Sequence, residues 1–435
     1  MLGAGCRGDG PGAPDPEDPV AKVLADAEVT SLPPAAAFPA AQVELGHLLF
    51  FDKELSGNRN IACSTCHNPA YHTTDALQVS IGTGGHNPGP SRTLGPGAHF
   101  IPRHSTDLLN RGYPGWTHLF WDGRVEQGTH GVETPAGAAL PSGVTSLLAA
   151  QAMFPVTDRN EMRGEPGDTA PDGRHNELAD ISDGALPAIW SGITARLLAI
   201  PEYRALFQAA YPGVPLDEIG FAHAANAIAA FISTQWTFTG APLDRYLRGD
   251  TEALSDSAKR GALVFFGKAR CGQCHRGPLL SDQKFHDIAI PVFGPGFPGA
   301  PDEGRSRVTQ LAEDRFRFRT ASLRNVAITA PYMHNGAFQT LDRVVRHYID
   351  ARASMRSYGA GNIDPRLQST LVTDPAEVNV VLANLDTVIA RGINISNGEK
   401  ADILAFLEAL TDPAALSRLS DIPARVPSGI PVFDF

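Results

Sequence analysis

Between residues 42 and 51 the apolar positions Val43, Leu45, Leu48, Leu49 and Phe50 recur at helical spacing, which predicts an amphipathic helix with one buried face. Residues 188–198 read the same way. A longer helix is expected over 216–236, where Ile219, Ala222, Asn226, Ala229, Ile232 and Trp236 lie on adjoining turns. Pro201 and Pro212 punctuate the stretch before it. Near the end, Ser396 and Glu399 form a capping box ahead of Ile403, Phe406, Leu407 and Leu410, so another helix opens there. Residues 168–184 are polar and turn-rich, a surface loop. Strand-like alternation is short and rare, and the pattern as a whole predicts a mainly α fold.

A weak repeat divides the chain. Gly46 and Phe50-Phe51 precede Cys63, while Gly261 and Phe265-Phe266 precede Cys271, as if one small helical unit occurs twice. Residues 1–37 are dominated by Pro and Ala and show no apolar period, so they read as a tail or signal remnant. The expected layout is therefore 38–241 and 242–425 as two domains, with 426–435 as a short C-terminal tail.

Composition narrows the function classes. The chain has 435 residues, 43% of them hydrophobic, with 36 Lys+Arg against 47 Asp+Glu and a net charge of -11, which argues against a nucleic-acid partner. With 43 Gly and 35 Pro, long ordered loops should be as prominent as the helices. No run approaches the roughly 20 apolar residues of a membrane span.

Four of the five cysteines fall in two tight pairs, each followed directly by histidine: Cys63-Ser64-Thr65-Cys66-His67 and Cys271-Gly272-Gln273-Cys274-His275. This is the pattern for covalent attachment of c-type haem, two thioethers with the adjacent His as proximal iron ligand. Random placement would yield about 0.002 such motifs in a chain of this composition. Two C-x-x-C pairs could instead make a zinc centre with four thiolates, though zinc leaves the His after both pairs unexplained. The remaining Cys6 sits in Leu2-Gly3-Ala4-Gly5-Cys6 before a Gly/Pro/Asp run. That resembles the end of a lipoprotein signal without its basic and apolar regions; a lipid anchor and an incidental tail thiol both stay open.

Further motifs stand in order along the chain: Phe51-Asp52-Lys53, Phe120-Trp121-Asp122-Gly123-Arg124, Leu323-Arg324-Asn325-Val326 and Thr329-Ala330-Pro331-Tyr332-Met333-His334-Asn335-Gly336. With the haem motifs they make residues 38 to 415 similar to the bacterial di-haem cytochrome c peroxidase and MauG family. The resemblance implies two cytochrome c-like α domains, joined by long Gly/Pro-rich loops, facing each other across the gap between two haems. Hydrogen peroxide would react at the N-terminal haem, and maturation would occur in the periplasm. In that family a Gln, a Pro and a Glu line the peroxide pocket at intervals that Gln151, Pro155 and Glu161 reproduce, with Met162 following. Glu161 is then the expected acid/base, Gln151 the residue orienting peroxide, and Trp121 the indole between the haems. The second iron takes its axial ligand from the helix after Leu341, where peroxidases of the family carry Met and MauG carries Tyr. Here that position is Tyr348, preferred over Met333 as the ligand. A phenolate is a hard donor that lowers the potential and favours high oxidation states.

Three departures from the family pattern are visible. Thr83 follows Ser80-Ile81-Gly82 where a blocking His is common, so the first site should be open at rest unless His86 reaches it. His104 follows Pro102-Arg103 where an Asn ligates calcium, which weakens a calcium site that would otherwise use the Thr329 and Pro331 carbonyls. The segment from Trp121 to Gln151 is long and Gly/Pro-rich, a candidate docking loop. The resemblance favours the MauG-like subset of the methanobactin-cluster type, which stores two oxidising equivalents and oxidises a side chain, Trp for instance, on a partner protein. The alternatives are a peroxidase fed by a small cytochrome and a non-catalytic di-haem electron carrier.

Overall fold

The computed structural model describes residues 15–298 and 300–433; Cys6 lies outside them. Helix of all kinds covers 42% and strand 7%, so the chain is mainly α. Two helix crossings organise it. Ala40–Phe51 packs on Phe221–Gln235, and Asp256–Phe266 packs on Asn397–Glu408. Each crossing turns on a glycine: a β-carbon on Gly46 would lie 1.8 Å from the Ala227 carbonyl oxygen, and one on Gly261 1.9 Å from that of Asp402. Because the obstacle is backbone in both cases, only glycine lets the helices meet this closely. The Gly/Phe repeat in the sequence is thus a packing device used twice. Phe50 and Phe51 are buried beyond the first crossing, and Phe265 beyond the second.

Around these crossings lie two main cores. One gathers Leu45, Phe50, Trp190, Ile193, Phe231 and Trp236. The other gathers Leu243, Tyr246, Phe265, Ile403, Phe406 and Leu410. A smaller cluster joins Val79 to Ile290, Phe293, Ala337 and Phe338, bridging the halves. The predicted capping box forms, with the Ser396 Oγ accepting the Glu399 N–H at 3.1 Å and Glu399 Oε2 accepting the Ser396 N–H at 2.7 Å. Pro201 does more than punctuate. It opens the helix Pro201–Ala210, where its fixed φ and missing N–H suit the first turn.

The ends of the chain depart from the expected layout. Residues 19–26, read from sequence as tail, form the helix Pro19–Asp26, capped by Asp18 and burying Val20 and Leu24 in the second core. Two apolar positions four apart are too short a stripe to register as a period. The Asp18 carboxylate also accepts the Tyr246 hydroxyl at 2.6 Å. At the other end the chain returns to the first core, where Ala415 and Val426 are buried and Asp421 accepts the Trp236 indole N–H at 2.9 Å. Residues 426–433 are therefore not a free tail, and the Ser428 N–H reaches the Asp52 carboxylate at 3.2 Å. Each half is completed by the opposite terminus.

Candidate functional site

The first Cys-x-x-Cys-His motif opens onto a cavity of about 1,360 Å³. Cys63, Cys66 and His67 line it, and so do Gln151, Pro155 and Glu161 from the other side of a hundred-residue separation in sequence. Cys63–Cys66 is a single helical turn, and the Thr65 hydroxyl reaches back to accept the N–H of the preceding Ala62 at 3.0 Å, which presents both sulfurs and the following imidazole together. Both thiols are free, and burial pushes Cys63 up to about 12. The His67 ring sets Nδ1 3.1 Å from the Thr73 carbonyl and 3.2 Å from Ser105 Oγ. Burial lowers its pKa to about 4. The ring is thus neutral, with Nδ1–H donating to the carbonyl and the Nε2 lone pair left for a ligand, the arrangement expected of a metal-ligating histidine.

The second motif repeats this logic. His275 Nδ1 donates to the Leu280 carbonyl at 2.9 Å, burial lowers its pKa, and Cys271 and Cys274 are free, Cys271 being pushed up to about 12 by burial. Four-thiolate zinc finds no support: among the described residues the one group of three or more His, Cys, Asp or Glu side chains able to converge on an ion is Cys274, Asp282 and His286. Paired free thiols beside a neutral His with one bare nitrogen fit haem at both places.

Glu161 sits in a short π-type turn, Arg159–Arg163, opened by Asp158, whose carboxylate accepts the Glu161 N–H at 2.9 Å. Among the described residues the Glu161 carboxylate itself accepts no hydrogen bond. Burial raises its pKa to about 8, helped by the nearby Asp158 charge and opposed by Arg124 and Arg103. The turn is pressed in place by the loop at Ser80-Ile81-Gly82-Thr83. The Thr83 N–H donates to the Asn160 and Glu161 carbonyls at 3.1 and 2.9 Å, and a β-carbon on Gly82 would lie 1.8 Å from the Asn160 oxygen. Thr83 thus supports the acid from behind, with its hydroxyl turned to Asn60 at 2.8 Å. His86 is exposed and does not line the cavity.

Trp121 lines the same cavity at the seam between the halves. Its indole N–H donates to the His104 carbonyl at 2.9 Å, and its carbonyl accepts the Arg319 N–H at 2.9 Å. Beside it lies an ion network that sequence reading passed over. Arg103 is within 2.6 Å of Asp122 and bonds both oxygens of Asp302 at 2.6 and 2.9 Å, all three buried. The guanidinium holds both carboxyls below their usual range, against the cost of burial. Its only signal in the sequence is its place between Pro102 and His104, since Asp302 is 199 residues away.

The two candidate ligands of the second site lie apart. Tyr348, on the helix Leu341–Ile349, stands near Cys274 and Cys271, and burial raises the pKa of its hydroxyl. Met333 packs instead against the bridging cluster of Val79, Phe293 and Phe338. Sequence reading also missed His286, held between Asp282 at 3.0 Å and Asp386. Calcium fits poorly. His104 turns Nδ1 to the Leu77 carbonyl at 2.8 Å and the Thr329 hydroxyl donates to the Val326 carbonyl at 3.3 Å, so with Pro331 they offer no carboxylate to a cation that needs six to eight oxygens. The segment after Trp121 supplies the strands Val125–Gly128 and Gly131–Glu133, which join His118–Leu119 before it in a three-stranded antiparallel sheet, pinned to the second half by Arg305 on Glu126 at 2.7 Å.

Residues 40–252 match the family model described as di-haem cytochrome c peroxidase. The chain is 29% identical over 388 residues to the methylamine utilization protein MauG of Methylorubrum extorquens, covering 88% of this chain and 82% of that one. It is 30% identical over 397 residues to the cytochrome-c peroxidase IdrP1 of Denitromonas iodatirespirans, covering 86% and 82%. Among solved structures it is similar to a MauG-like protein associated with microbial copper homeostasis, with a TM-score of 0.60, 28% identity, and 89% and 96% coverage. The chain belongs to the di-haem cytochrome c peroxidase and MauG family, oxidoreductases that act with peroxide.

Proposed function

We propose that this chain is a peroxide-dependent oxidase of the MauG kind, taking electrons from a side chain, such as Trp, of a partner protein in the periplasm. Cys63, Cys66 and His67 would hold one haem, and Cys271, Cys274 and His275 the other, with Tyr348 as a further ligand. When bound, the haems would supply the redox chemistry for two oxidising equivalents from hydrogen peroxide. Everything else falls to the chain. Glu161 takes a proton from one peroxide oxygen and returns it to the oxygen that departs as water, a task suited to a carboxyl whose pKa burial has brought near neutrality. Gln151 orients peroxide through its amide, and Pro155 fills the wall between them without adding a donor. Trp121 carries charge across the seam.

The observation that carries this reading is Tyr348 beside Cys271 and Cys274 with Met333 packed elsewhere. A phenolic oxygen makes the second haem a poor sink for electrons from a cytochrome and a better store of oxidising power. The second reading is a cytochrome c peroxidase, favoured by relatives that carry that name. Gln151 and Glu161 facing Cys63, Cys66 and His67 across one cavity support either enzyme over a plain electron carrier. Peroxide added without reductant separates the two: a long-lived state two equivalents above the resting protein supports the oxidase, whereas immediate return to rest and fast turnover with reduced cytochrome c support the peroxidase. No helix among the described residues is long and apolar enough to cross a membrane; a lipid on Cys6 would attach the chain to one.

A further inference from the structure

Two indoles lie where the halves meet, and one residue of the second half touches the segment that bears both. Arg319 donates its backbone N–H to the Trp121 carbonyl at 2.9 Å and its Nε to the Phe120 carbonyl at 3.1 Å. Its guanidinium stands 5.0 Å from the centre of the Trp116 ring. A second guanidinium, that of Arg111, stands 4.4 Å from the same ring. Trp116 is 5% exposed and Arg319 3%, so water screens these charges weakly. Arg111 has Asp107 beside it at 3.3 Å. Arg319 makes no ion pair among the described residues, and its side chain donates only to the Phe120 and Thr320 carbonyls.

Trp121 differs in the charges around it. Among the described residues no guanidinium stands over its ring, while the two indole N–H groups are alike, Trp121 donating to the His104 carbonyl and Trp116 to that of Asn110. A cation over an indole is drawn to the ring electrons, and the same cation repels the positive charge left behind when one electron is removed. Trp116 is therefore the harder of the two to oxidise, held by two close cations of which Asp107 offsets Arg111 in part.

We infer that Arg319 and Arg111 keep Trp116 out of the oxidation path and leave Trp121 as the indole that yields electrons, an inference that rests on the oxidising function proposed above. Arg319 acts here as a positioning residue through charge and touches no substrate. The consequence is sharpest when no electron donor is present. Hydrogen peroxide then takes two electrons and two protons to give two waters. The indole loses two electrons, gains a hydroxyl oxygen from one water and releases two protons, so that the net change is one oxygen added to Trp and one water formed.

The test is peptide mass mapping of the full two-haem protein after repeated additions of hydrogen peroxide without reductant, with peroxide consumption followed in parallel. In the wild type, oxygen addition at Trp121 should exceed that at Trp116 by about tenfold or more. Arg319→Met should raise addition at Trp116 about tenfold, while Arg319→Lys, which keeps the cation, should stay near wild type. Arg111→Gln repeats the comparison from the other guanidinium should Arg319→Met fold poorly. Equal oxidation of both indoles in the wild type, or no rise at Trp116 in either neutral variant while peroxide is consumed, overturns the inference. Peroxide left unconsumed overturns the proposed function and this inference with it.

Discussion

Replacing Glu161 by Gln swaps a titrating acid for a neutral side chain of the same shape, and the structure sets the size of two separate effects. The first is kinetic. A positioned general acid/base contributes about 10²–10⁴ in rate, so peroxide cleavage should slow by that factor, about 3–5 kcal/mol of barrier, with both haems retained. With a pKa near 8, only about a tenth of the wild-type carboxyl is ionised at pH 7, so its cleavage rate should climb with pH to a plateau above 8. The variant should show no such climb. The second effect is on stability, and its sign is fixed by the direction of the shift. The folded pKa is raised, so the folded protein keeps a proton that the unfolded chain loses above its ordinary value of 4.5. Wild-type stability is therefore fullest below about pH 4.5, falls as pH rises to about 8, and is level beyond. The Gln variant lacks that slope, matching the wild type near pH 5 and exceeding it by pH 8. A fully dry carboxyl would give about 4–5 kcal/mol; the half-buried position reduces this to about 2–3 kcal/mol. Stopped-flow absorbance across pH 6–9 and thermal unfolding at pH 5 and pH 8 measure the two effects. Cleavage within a few-fold of wild type, or a wild-type rate flat from pH 6 to 9, would refute the assignment of Glu161.

Three further outcomes follow from the same geometry. Tyr348→Met should raise the potential of the second haem and change its near-infrared ligand band in a redox titration, and an unchanged spectrum excludes Tyr348 as a ligand. Gly261→Ala drives a methyl group into the Asp402 carbonyl and should lower the unfolding midpoint, costing about 2–4 kcal/mol; an unshifted midpoint contradicts the backbone-to-backbone crossing. His86→Gln should leave the resting electron paramagnetic resonance spectrum as it is, because the ring faces solvent, whereas loss of a low-spin signal would show that His86 reaches the first iron.

What the sequence discloses and what it hides divide along chain distance. Cys63-x-x-Cys66-His67 and its twin are legible because their chemistry is packed into five residues. The Gln151, Pro155 and Glu161 spacing is legible only through the family resemblance, since without it Glu161 reads as a surface loop carboxylate. Even the crossing glycines leave a trace, since Gly46 and Gly261 each stand four residues before an aromatic pair. The exchange of termini leaves none: Val20 and Leu24 look like tail until Leu243 and Tyr246 cover them, and Val426 until the first core does. The Arg103 network and the Arg319 charge over Trp116 are likewise invisible, because a buried cation is recognisable only from its neighbours, here about 200 residues away.

The most direct test of the account is the electron paramagnetic resonance spectrum of the resting ferric protein, read together with its haem stoichiometry. The account predicts two haems per chain, one high-spin with a position free beside Glu161 and one low-spin with nitrogen and phenolic oxygen as axial ligands. Two low-spin haems, or methionine ligation at the second, would contradict it.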